Sequence, residues 1–459
     1  MEVLRLDKLK KKNRLPTGAV IAIGFILIIA AGSLLLFLPF ANRFPAHGLK
    51  EYFDCVFTAA SCVCVTGLST VQVHDTFTVF GQAVMLLMIQ VGGLGFMTMA
   101  LLLARMIKRR ITPKEQMVAA QACGFDSNDN VKTLVYGIIR RAMIIEGIGT
   151  VLLMCRMWKY TSGFLQALWY SLFHSVSAFC NAGFDLFNFE KGSLTGLAED
   201  SFILIVLMLL IYVGGIGFMV WDDVLHRVRD KTDKLSVYTR FVLLFSVLLF
   251  AVSFVFTFVF EYDNPQTLGR MPLINKIVNA AFHSVSLRTA GFAAIPGNML
   301  NDATKLMSCL MMFIGGCSGS TAGGIKVGTV GLILFAVARF SFGKKNLNIS
   351  GRSIDTNTVI RAFSLFFIGL LTILVFTGIF SAVEDHPVID LLYETASAFG
   401  TVGLSVGVTP ILSYFTKCLL ILLMYFGRVG VLTVTSSFTS KSGENDGGIR
   451  YPAATFYIG

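Results

Sequence analysis

The amino-acid sequence predicts an all-α membrane protein built from four repeated units around one pore. Of its 459 residues, 55% are hydrophobic and 14% charged, and the mean hydropathy is +0.72. Four segments share one pattern around a central glycine, and a second glycine cluster follows each of them. Each unit is interpreted as span, re-entrant pore loop and span, which predicts eight transmembrane helices and four half-helices.

Several apolar stretches reach the length that crosses a membrane, about 20 residues. The stretch from Gly18 to Leu38 contains no charge. It is too long for a signal peptide and no small-residue cleavage site follows it, so it is interpreted as the first span. The expected spans are 18–38, 77–104, 133–155, 202–221, 240–260, 305–338, 361–383 and 415–436.

The net charge of +11 is concentrated on one side of these spans. Basic residues precede the first span and follow the second, fourth and sixth, which is the positive-inside pattern and places both termini in the cytoplasm. The same basic loops are candidate docking surfaces for a cytoplasmic partner, and their position argues against nucleic acid. The expected divisions are a basic N-terminus (1–17), four pore repeats (18–110, 111–230, 231–345 and 346–440) and a cytoplasmic tail (441–459).

The repeated segments each pass from a short amphipathic stretch to a small-residue turn. Their central glycines lie 116, 108 and 112 positions apart. A helix from Tyr52 to Val63 rises about 18 Å, too little to cross a hydrocarbon core of roughly 30 Å. Non-helical backbone at that depth must be buried in protein or line water. We therefore expect four re-entrant loops around one axis, with the filter residues Val65, Thr66, Gly67, Asn181, Ala182, Gly183, Thr289, Ala290, Gly291, Thr401, Val402 and Gly403.

The chemistry of these loops favours a cation. Rings of backbone carbonyls replace the hydration shell in potassium filters, and glycine reaches the dihedral angles that such a backbone requires. The negative C-terminal ends of four half-helices add to the attraction. Close helix packing is the alternative for any single glycine. The third loop is one residue shorter between its serine and its glycine, so strict four-fold geometry is not expected. The hypothesis is a potassium site at Gly67, Gly183, Gly291 and Gly403.

The downstream clusters differ from one another. Those at 92–95 and 214–217 are expected to pack against the half-helices. The third cluster lies within the sixth span and is too rich in glycine and serine for a stable helix. It is interpreted as a gate below the filter, with a kinked helix as the alternative. Its residues are Gly315, Gly316, Cys317, Ser318, Gly319, Ser320, Thr321, Ala322, Gly323 and Gly324.

A few polar residues within the apolar segments are further candidates. Arg428 lies inside the last span, where a charge is costly. It is expected to repel cations at rest, to pair with carbonyls of the gate, or to form a structural tie to another carbonyl. Arg288 is expected to brace the third loop, and Glu394 to face the outer mouth. His174 and His283 occupy matched positions and are expected to pack.

At these residues the chain resembles the Trk/Ktr/HKT superfamily of potassium transporters, and most closely its Ktr-type membrane subunit. The resemblance covers essentially the whole chain. It implies potassium uptake across the cell membrane, stimulated by sodium in many members, by a homodimer with one pore per subunit. It also implies a cytoplasmic ring of KtrA-like, nucleotide-binding regulatory subunits and no organic cofactor in this chain. The most specific motifs are RTAGF at 288–292, GGCSGSTAGGIK at 315–326, YFGRVG at 425–430 and the ending at 449–459.

Two other transport classes remain open. The potassium-binding subunit of an ATP-driven pump also has four filter loops, with extra spans. An ion-coupled carrier would use an intramembrane carboxylate, for which Glu146, with Arg140 and Arg141 as partners, is the clearest candidate. An enzyme is not expected, because no metal-ligand cluster, nucleophile–base pair or nucleotide fingerprint stands out.

Overall fold

The computed structural model describes residues 17–44, 48–95, 131–187, 193–230, 234–344, 347–349 and 352–430. The basic N-terminus, the basic loop at 105–115 and the tail predicted to be cytoplasmic, including the ending at 449–459, lie outside the described residues.

The first half of the described chain is helical. It also contains short 3₁₀ turns at Trp158–Tyr160 and Thr195–Leu197. The helices are α1 (Thr17–Phe37), α2 (Leu49–Cys64), α3 (Val73–Thr76), α4 (Val79–Leu94), α5 (Val131–Met157), α6 (Phe164–Phe179), α7 (Ser201–Gly215) and α8 (Phe218–Asp230).

The second half repeats this order, with 3₁₀ turns at Gly297–Met299 and Thr409–Ile411. A small antiparallel hairpin, β1 (Asn348–Ile349) and β2 (Arg352–Ser353), joins the last two repeats. It is a minor departure from the predicted all-α fold. The helices are α9 (Val237–Glu261), α10 (Leu273–Ser286), α11 (Asp302–Phe313), α12 (Val327–Ser341), α13 (Thr356–Val383), α14 (Val388–Gly400) and α15 (Tyr414–Val429).

The four units pack in a closed cycle. In each unit a long helix (α1, α5, α9 or α13) contacts the half-helix that follows it (α2, α6, α10 or α14). The second long element of each unit then packs on the half-helix of the next: α4 on α6, α7 on α10, and α11 on α14. The last such element, α15, packs on α2, the first half-helix. The half-helices therefore lie at the centre. Almost all the residues in the last three turns of each half-helix are buried.

Three described helices are long and apolar enough to cross a membrane: the 19-residue part of α1 from Ala19, α9 and α13. α4 and α12 are apolar but shorter, and α5 has 27 residues but carries Arg140, Arg141 and Glu146. The predicted span 202–221 is wrong as a single helix. α7 ends at Gly215, and the chain turns by 98° before α8 continues. The amphipathic sequence of α8, which includes Asp222, Arg227 and Arg229, explains why it leaves the direction of the apolar α7.

The predicted span 305–338 is also interrupted. α11 ends at Phe313 and α12 begins at Val327, with non-helical backbone between them. The irregular segment expected from its glycine and serine content is confirmed, and a merely kinked helix is excluded. Gly95 directly follows α4 and Gly430 directly follows α15, with positive φ angles of 85° and 89°, and Gly217, between α7 and α8, has a φ of 102°. α4, α7 and α15 therefore end inside their glycine clusters, whereas α11 ends just before its own.

Glycines allow these elements to approach the half-helices closely. A Cβ built on Gly92 would collide with the carbonyl oxygen of Val63 near the end of α2. Gly214 meets the carbonyl of Phe179 in the same way, and Gly427 meets that of Phe399. The expected packing role is confirmed for Gly92 and Gly214. Gly217 instead approaches the carbonyl of Ser318 in the interrupted sixth element.

We predict that Gly214→Ala lowers the thermal stability of the detergent-purified protein, because the added methyl group must displace the Phe179 carbonyl. Overpacking of this kind costs about 1–3 kcal/mol. The matched control is Gly147→Ala in α5, where a Cβ meets no atom within 4 Å and where removing a helical glycine gains about 0.5–1 kcal/mol. An unchanged or higher melting temperature for Gly214→Ala would contradict the packing assignment.

Candidate functional site

Each half-helix is closed by the same backbone hydrogen bond. The residue before the central glycine donates its N–H to the carbonyl of a serine inside the helix. Thr66 donates to Ser61 over 2.8 Å, and Val402 donates to Ser397 over 2.8 Å. The second and third repeats form the corresponding bonds, Ala182 to Ser177 at 2.7 Å and Ala290 to Ser286 at 3.0 Å.

The third repeat forms this bond across four residues rather than five, which accounts for its shorter loop. The chain is one residue shorter at the end of α10, and Gly291 still occupies the position that the central glycines of the other repeats occupy. The shorter spacing therefore does not break the four-unit arrangement.

Two left-handed residues shape each turn. The residue two positions before each central glycine has positive φ: Val65 57°, Asn181 59°, Thr289 69° and Thr401 51°. Such angles are outliers for β-branched residues and cost about 1–3 kcal/mol each. The glycines follow with φ of 94° at Gly67, 69° at Gly183, 78° at Gly291 and 94° at Gly403. Strain of this kind persists only where the surrounding structure enforces it.

The four central glycines are neighbours in a closed ring. A Cβ on Gly67 would lie 2.5 Å from the carbonyl oxygen of Ala182, and one on Gly183 would lie 2.7 Å from that of Ala290. The nearest atom to a Cβ on Gly291 is the carbonyl oxygen of Val402.

The fourth contact closes the ring, because the atom nearest to a Cβ on Gly403 is the carbonyl oxygen of Thr66. Each carbonyl before a glycine thus faces the glycine of another repeat. No side chain fits at any of the four positions, and the carbonyls are brought together from four separate segments.

Serine hydroxyls secure the ring in two ways. Ser61 Oγ accepts the N–H of Gly67 at 3.0 Å, and Ser397 Oγ accepts that of Gly403 at 3.1 Å. In the other two repeats the hydroxyl donates instead: Ser177 to the carbonyl of Phe184 at 2.8 Å, and Ser286 to that of Phe292 at 2.6 Å. The half-helices end three to five residues before their glycines, so their partial negative charge is directed at the ring.

Residues 314–326, which we call the intramembrane loop, connect α11 to α12. The two ends of the loop are held together: Ile314 and Ile325 form a parallel bridge, and the N–H of Gly315 donates to the carbonyl of Ile325 at 2.8 Å. The N–H of Val327 donates to the carbonyl of Gly316 at 3.0 Å. The two ends of the loop are therefore hydrogen-bonded to each other, and the residues between them project as one segment.

The interrupted ends of neighbouring helices hold the tip of this loop. The carbonyl of Gly215 accepts the N–H of Cys317 at 3.0 Å, and that of Gly214 accepts the N–H of Thr321 at 3.3 Å. The Thr321 hydroxyl donates to the carbonyl of Phe179 at 3.2 Å. A Cβ on Gly323 would collide with the side chain of Thr401 in the fourth repeat's turn. The loop thus lies directly against the half-helix ends that support the ring.

Two basic side chains, Arg428 from α15 and Lys326 from the intramembrane loop itself, donate hydrogen bonds to backbone carbonyls of the loop. The Arg428 guanidinium donates to the carbonyl of Thr321 and to those of Gly92 and Gly93. Lys326 Nζ donates to the carbonyl of Ala322 at 2.7 Å and to that of Gly323 at 3.3 Å. Of the alternatives for Arg428, pairing with the loop and a tie to another helix are both present. No role was predicted for Lys326, although a lysine two residues after a glycine-rich run in an apolar stretch was a usable signal.

Glu394 does not face the outer mouth, so that expectation is wrong. The residue is fully buried. Its carboxylate accepts hydrogen bonds from the hydroxyls of Ser405 and Thr409, each at 2.6 Å, and from the N–H of Val406 at 3.1 Å. A buried carboxylate needs such donors, and Glu394 finds them in the segment that leaves the fourth glycine. Its role is to fasten that segment.

Two other expected partnerships are wrong. Arg288 does not brace its own loop; its guanidinium donates to the carbonyl and the hydroxyl of Ser246 in α9, each at 3.3 Å. Arg141 forms an ion pair with Asp222 of α8 at 2.5 Å rather than with Glu146. The Glu146 carboxylate instead accepts the side-chain amide of Gln90 at 3.0 and 3.1 Å. All three pairs are distant in sequence, and the Gln90–Glu146 pair joins the first unit to the second.

The two histidines are buried, as expected for packing residues. His174 Nδ1 lies 2.7 Å from the carbonyl of Tyr170, and the ring contacts those of Phe187 and Phe292. His283 Nε2 lies 3.3 Å from the Ser308 hydroxyl. Both help to fix a half-helix in place.

Apolar membrane-length helices, four units in a closed cycle and a central ring of carbonyls and glycines define a membrane transport protein. Residues 20–446 match the family model described as TrkH, cation transport protein. The chain belongs to this TrkH family. Membership confirms the predicted resemblance and the expectation of a transporter rather than an enzyme.

Several characterised proteins and a solved structure resemble the chain. The Ktr system potassium uptake protein B of Bacillus subtilis (strain 168) is 38% identical over 99% of this chain and 100% of that protein. The potassium/sodium uptake protein NtpJ of Enterococcus hirae is 35% identical over 99% and 100% of the two chains. The crystal structure of the potassium transporter TrkH from Vibrio parahaemolyticus shares the fold, with a TM-score of 0.67 at 18% identity over 91% of this chain and 83% of that one.

Proposed function

We propose that this chain takes up potassium across the plasma membrane through the glycine ring, which acts as its selectivity filter. The observation that carries the proposal is the closed cycle in which Gly67, Gly183, Gly291 and Gly403 each meet a carbonyl of another repeat. The names of the full-length relatives, potassium uptake protein B and potassium/sodium uptake protein NtpJ, support potassium as the cargo.

The ring suits a dehydrated monovalent cation. Carbonyl oxygens replace water around the ion, and their number and placement set the preference between potassium and sodium. The left-handed residue two positions before each glycine reverses the backbone, so that successive carbonyls of the filter residues are available to one axis. The half-helix ends add negative potential without a carboxylate. In this proposal the twelve filter residues are 65–67, 181–183, 289–291 and 401–403.

We predict that Gly67→Ser lowers the ratio of potassium to sodium uptake at least tenfold, which corresponds to about 1.4 kcal/mol. The new Cβ must displace the Ala182 carbonyl, and a residue other than glycine is strained at φ 94°. Losing one oxygen harms potassium more, because sodium retains more water and tolerates a looser site. The measurement is ion uptake in cells that lack their own potassium systems, normalised to the amount of protein in the membrane.

Gly407→Ser is the matched control for this substitution. Gly407 also has positive φ, 89°, but a Cβ there meets no atom within 4 Å. It therefore imposes a similar backbone cost outside the ring, and the uptake ratio should equal that of the wild type. If Gly67→Ser also keeps the wild-type ratio while total uptake falls, the glycines are packing residues and the filter proposal fails.

The intramembrane loop is proposed to be the gate. It lies against the half-helix ends and is bound by Arg428 of α15 and by its own Lys326, two basic groups that oppose the passage of a cation. In this conformation the loop and the two basic side chains that bind it obstruct the path below the ring. Opening requires the hydrogen bonds to Gly214 and Gly215 and the Arg428 contacts to break.

Excision of residues 316–323 should raise potassium flux several-fold without changing the uptake ratio. Gly315 can be joined directly to Gly324, because a Cβ on Gly315 would lie 3.2 Å from the Cα of Gly324. Arg428→Gln keeps the loop length and should give a smaller increase. Flux measured in proteoliposomes decides the matter: unchanged or lower flux in both correctly inserted variants rules out a gate.

The chain is further proposed to form a homodimer whose gate is controlled by a cytoplasmic ring of nucleotide-binding subunits, with both termini on the cytoplasmic side. The support is that Bacillus subtilis protein B, which aligns along its whole length, is named as part of a Ktr system. The repeat boundaries at 110, 230 and 345 and the eight-span topology belong to the same proposal. Because the name of NtpJ includes sodium, sodium stimulation is proposed as well.

Affinity purification from native membranes should therefore recover a soluble nucleotide-binding subunit together with a dimer of this chain. Adding the nucleotide should change potassium flux in the complex, and external sodium should increase it. Repeated recovery of the chain alone, with normally regulated flux, would contradict the regulatory partner while leaving the filter proposal standing.

A further inference from the structure

A cavity of ≈ 450 Å³ lies beside the intramembrane loop, away from the glycine ring. It is bounded by the first turns of α9, α12 and α13 and by the β1–β2 hairpin. The hairpin is closed by the N–H of Ile354, which donates to the carbonyl of Leu347 at 2.9 Å. The apolar part of its wall is formed by Val237, Phe241, Leu332, Ile349, Ile354 and Leu365.

Two arginines complete this wall. Arg352 comes from the hairpin and Arg361 from α13, and both are exposed. Among the described residues, neither guanidinium has a carboxylate within ion-pair distance, whereas Arg141, Arg156 and Lys305 all do. Thr329 and Thr358 add hydroxyl groups. The cavity thus combines an apolar interior with two unneutralised positive charges and hydroxyl donors.

We infer that this cavity binds an acidic phospholipid, with the phosphate at Arg352 and Arg361 and an acyl chain along the apolar wall. Basic pockets between transmembrane helices bind anionic lipid headgroups, and a volume of this size suits a ligand of that kind. The outer faces of the adjoining helices expose Leu334, Val337, Ile360 and Phe363. Such faces are suited to hydrocarbon, which favours a ligand from the bilayer over a soluble anion.

The site is connected to the intramembrane loop through its wall. Ser318 lines the cavity together with Tyr238. The next residue, Gly319, accepts the N–H of Phe218 at 2.7 Å. A lipid in the cavity therefore contacts the segment that holds the loop tip. Binding of the lipid is independent of the proposed gate, whereas an effect on flux depends on it.

Native mass spectrometry of the purified full chain, equilibrated with equal amounts of phosphatidylglycerol and phosphatidylcholine, tests the binding. The wild type should retain phosphatidylglycerol in preference to phosphatidylcholine. Arg352→Gln combined with Arg361→Gln should reduce this retention at least fivefold. Thr329→Trp, which keeps both charges but fills the cavity, should do the same. Arg227→Gln combined with Arg229→Gln removes two exposed charges from α8 and should retain the lipid like the wild type.

Three results would overturn the inference. One is equal retention of phosphatidylglycerol by the wild type and the Arg352/Arg361 double variant. Another is displacement of the lipid by a soluble anion such as ATP, which would make this a nucleotide or phosphate site. The third is loss of the dimer mass instead of the lipid mass in the double variant, which would make the cavity a subunit contact. Flux in proteoliposomes with and without phosphatidylglycerol then tests coupling; lipid retention without an effect on flux contradicts the coupling of the cavity to the intramembrane loop and leaves the binding inference standing.

Discussion

The close approach of backbone to backbone at the four central glycines is the contact on which the rest of the structure depends. Each glycine meets a carbonyl of another repeat, so the ring exists only if all four half-helices end at the same level. Buried backbone groups must be paired, which explains why all four repeats form the bond from the residue before the glycine to a helical serine. Because α4, α7, α11 and α15 pack on successive half-helices, the positions of these outer helices depend on the same constraint.

The ends of the second elements leave backbone carbonyls without helical partners near the ring. Unpaired backbone groups at membrane depth are expensive. The intramembrane loop and the side chain of Arg428 satisfy several of these carbonyls, at Gly92, Gly93, Gly214 and Gly215. The same bonds place positive charge below the ring. One set of contacts therefore both satisfies the ends of the helices and, in the proposed gate, opposes the passage of a cation.

The sequence predicted the ring and the loop because both depend on local composition. Central glycines recur at near-constant spacing, and a run such as 315–324 cannot stay helical. Partners of charged residues were predicted poorly. Glu394 binds a segment folded back over it, Arg288 reaches α9 and Arg141 reaches Asp222, and none of these contacts has a periodic signal. The left-handed angles at Val65, Thr289 and Thr401 were also missed, because β-branched residues locally disfavour them and the tertiary packing overrides that preference.

The central claim is that the carbonyls around the glycine ring bind the transported ion. Anomalous X-ray diffraction from crystals grown with rubidium in place of potassium tests it most directly, because rubidium mimics potassium and is located by its own scattering. The account predicts anomalous density on the axis enclosed by Gly67, Gly183, Gly291 and Gly403, and its loss when sodium replaces rubidium. Density at Glu146 or another side-chain site, with an empty axis, would contradict it.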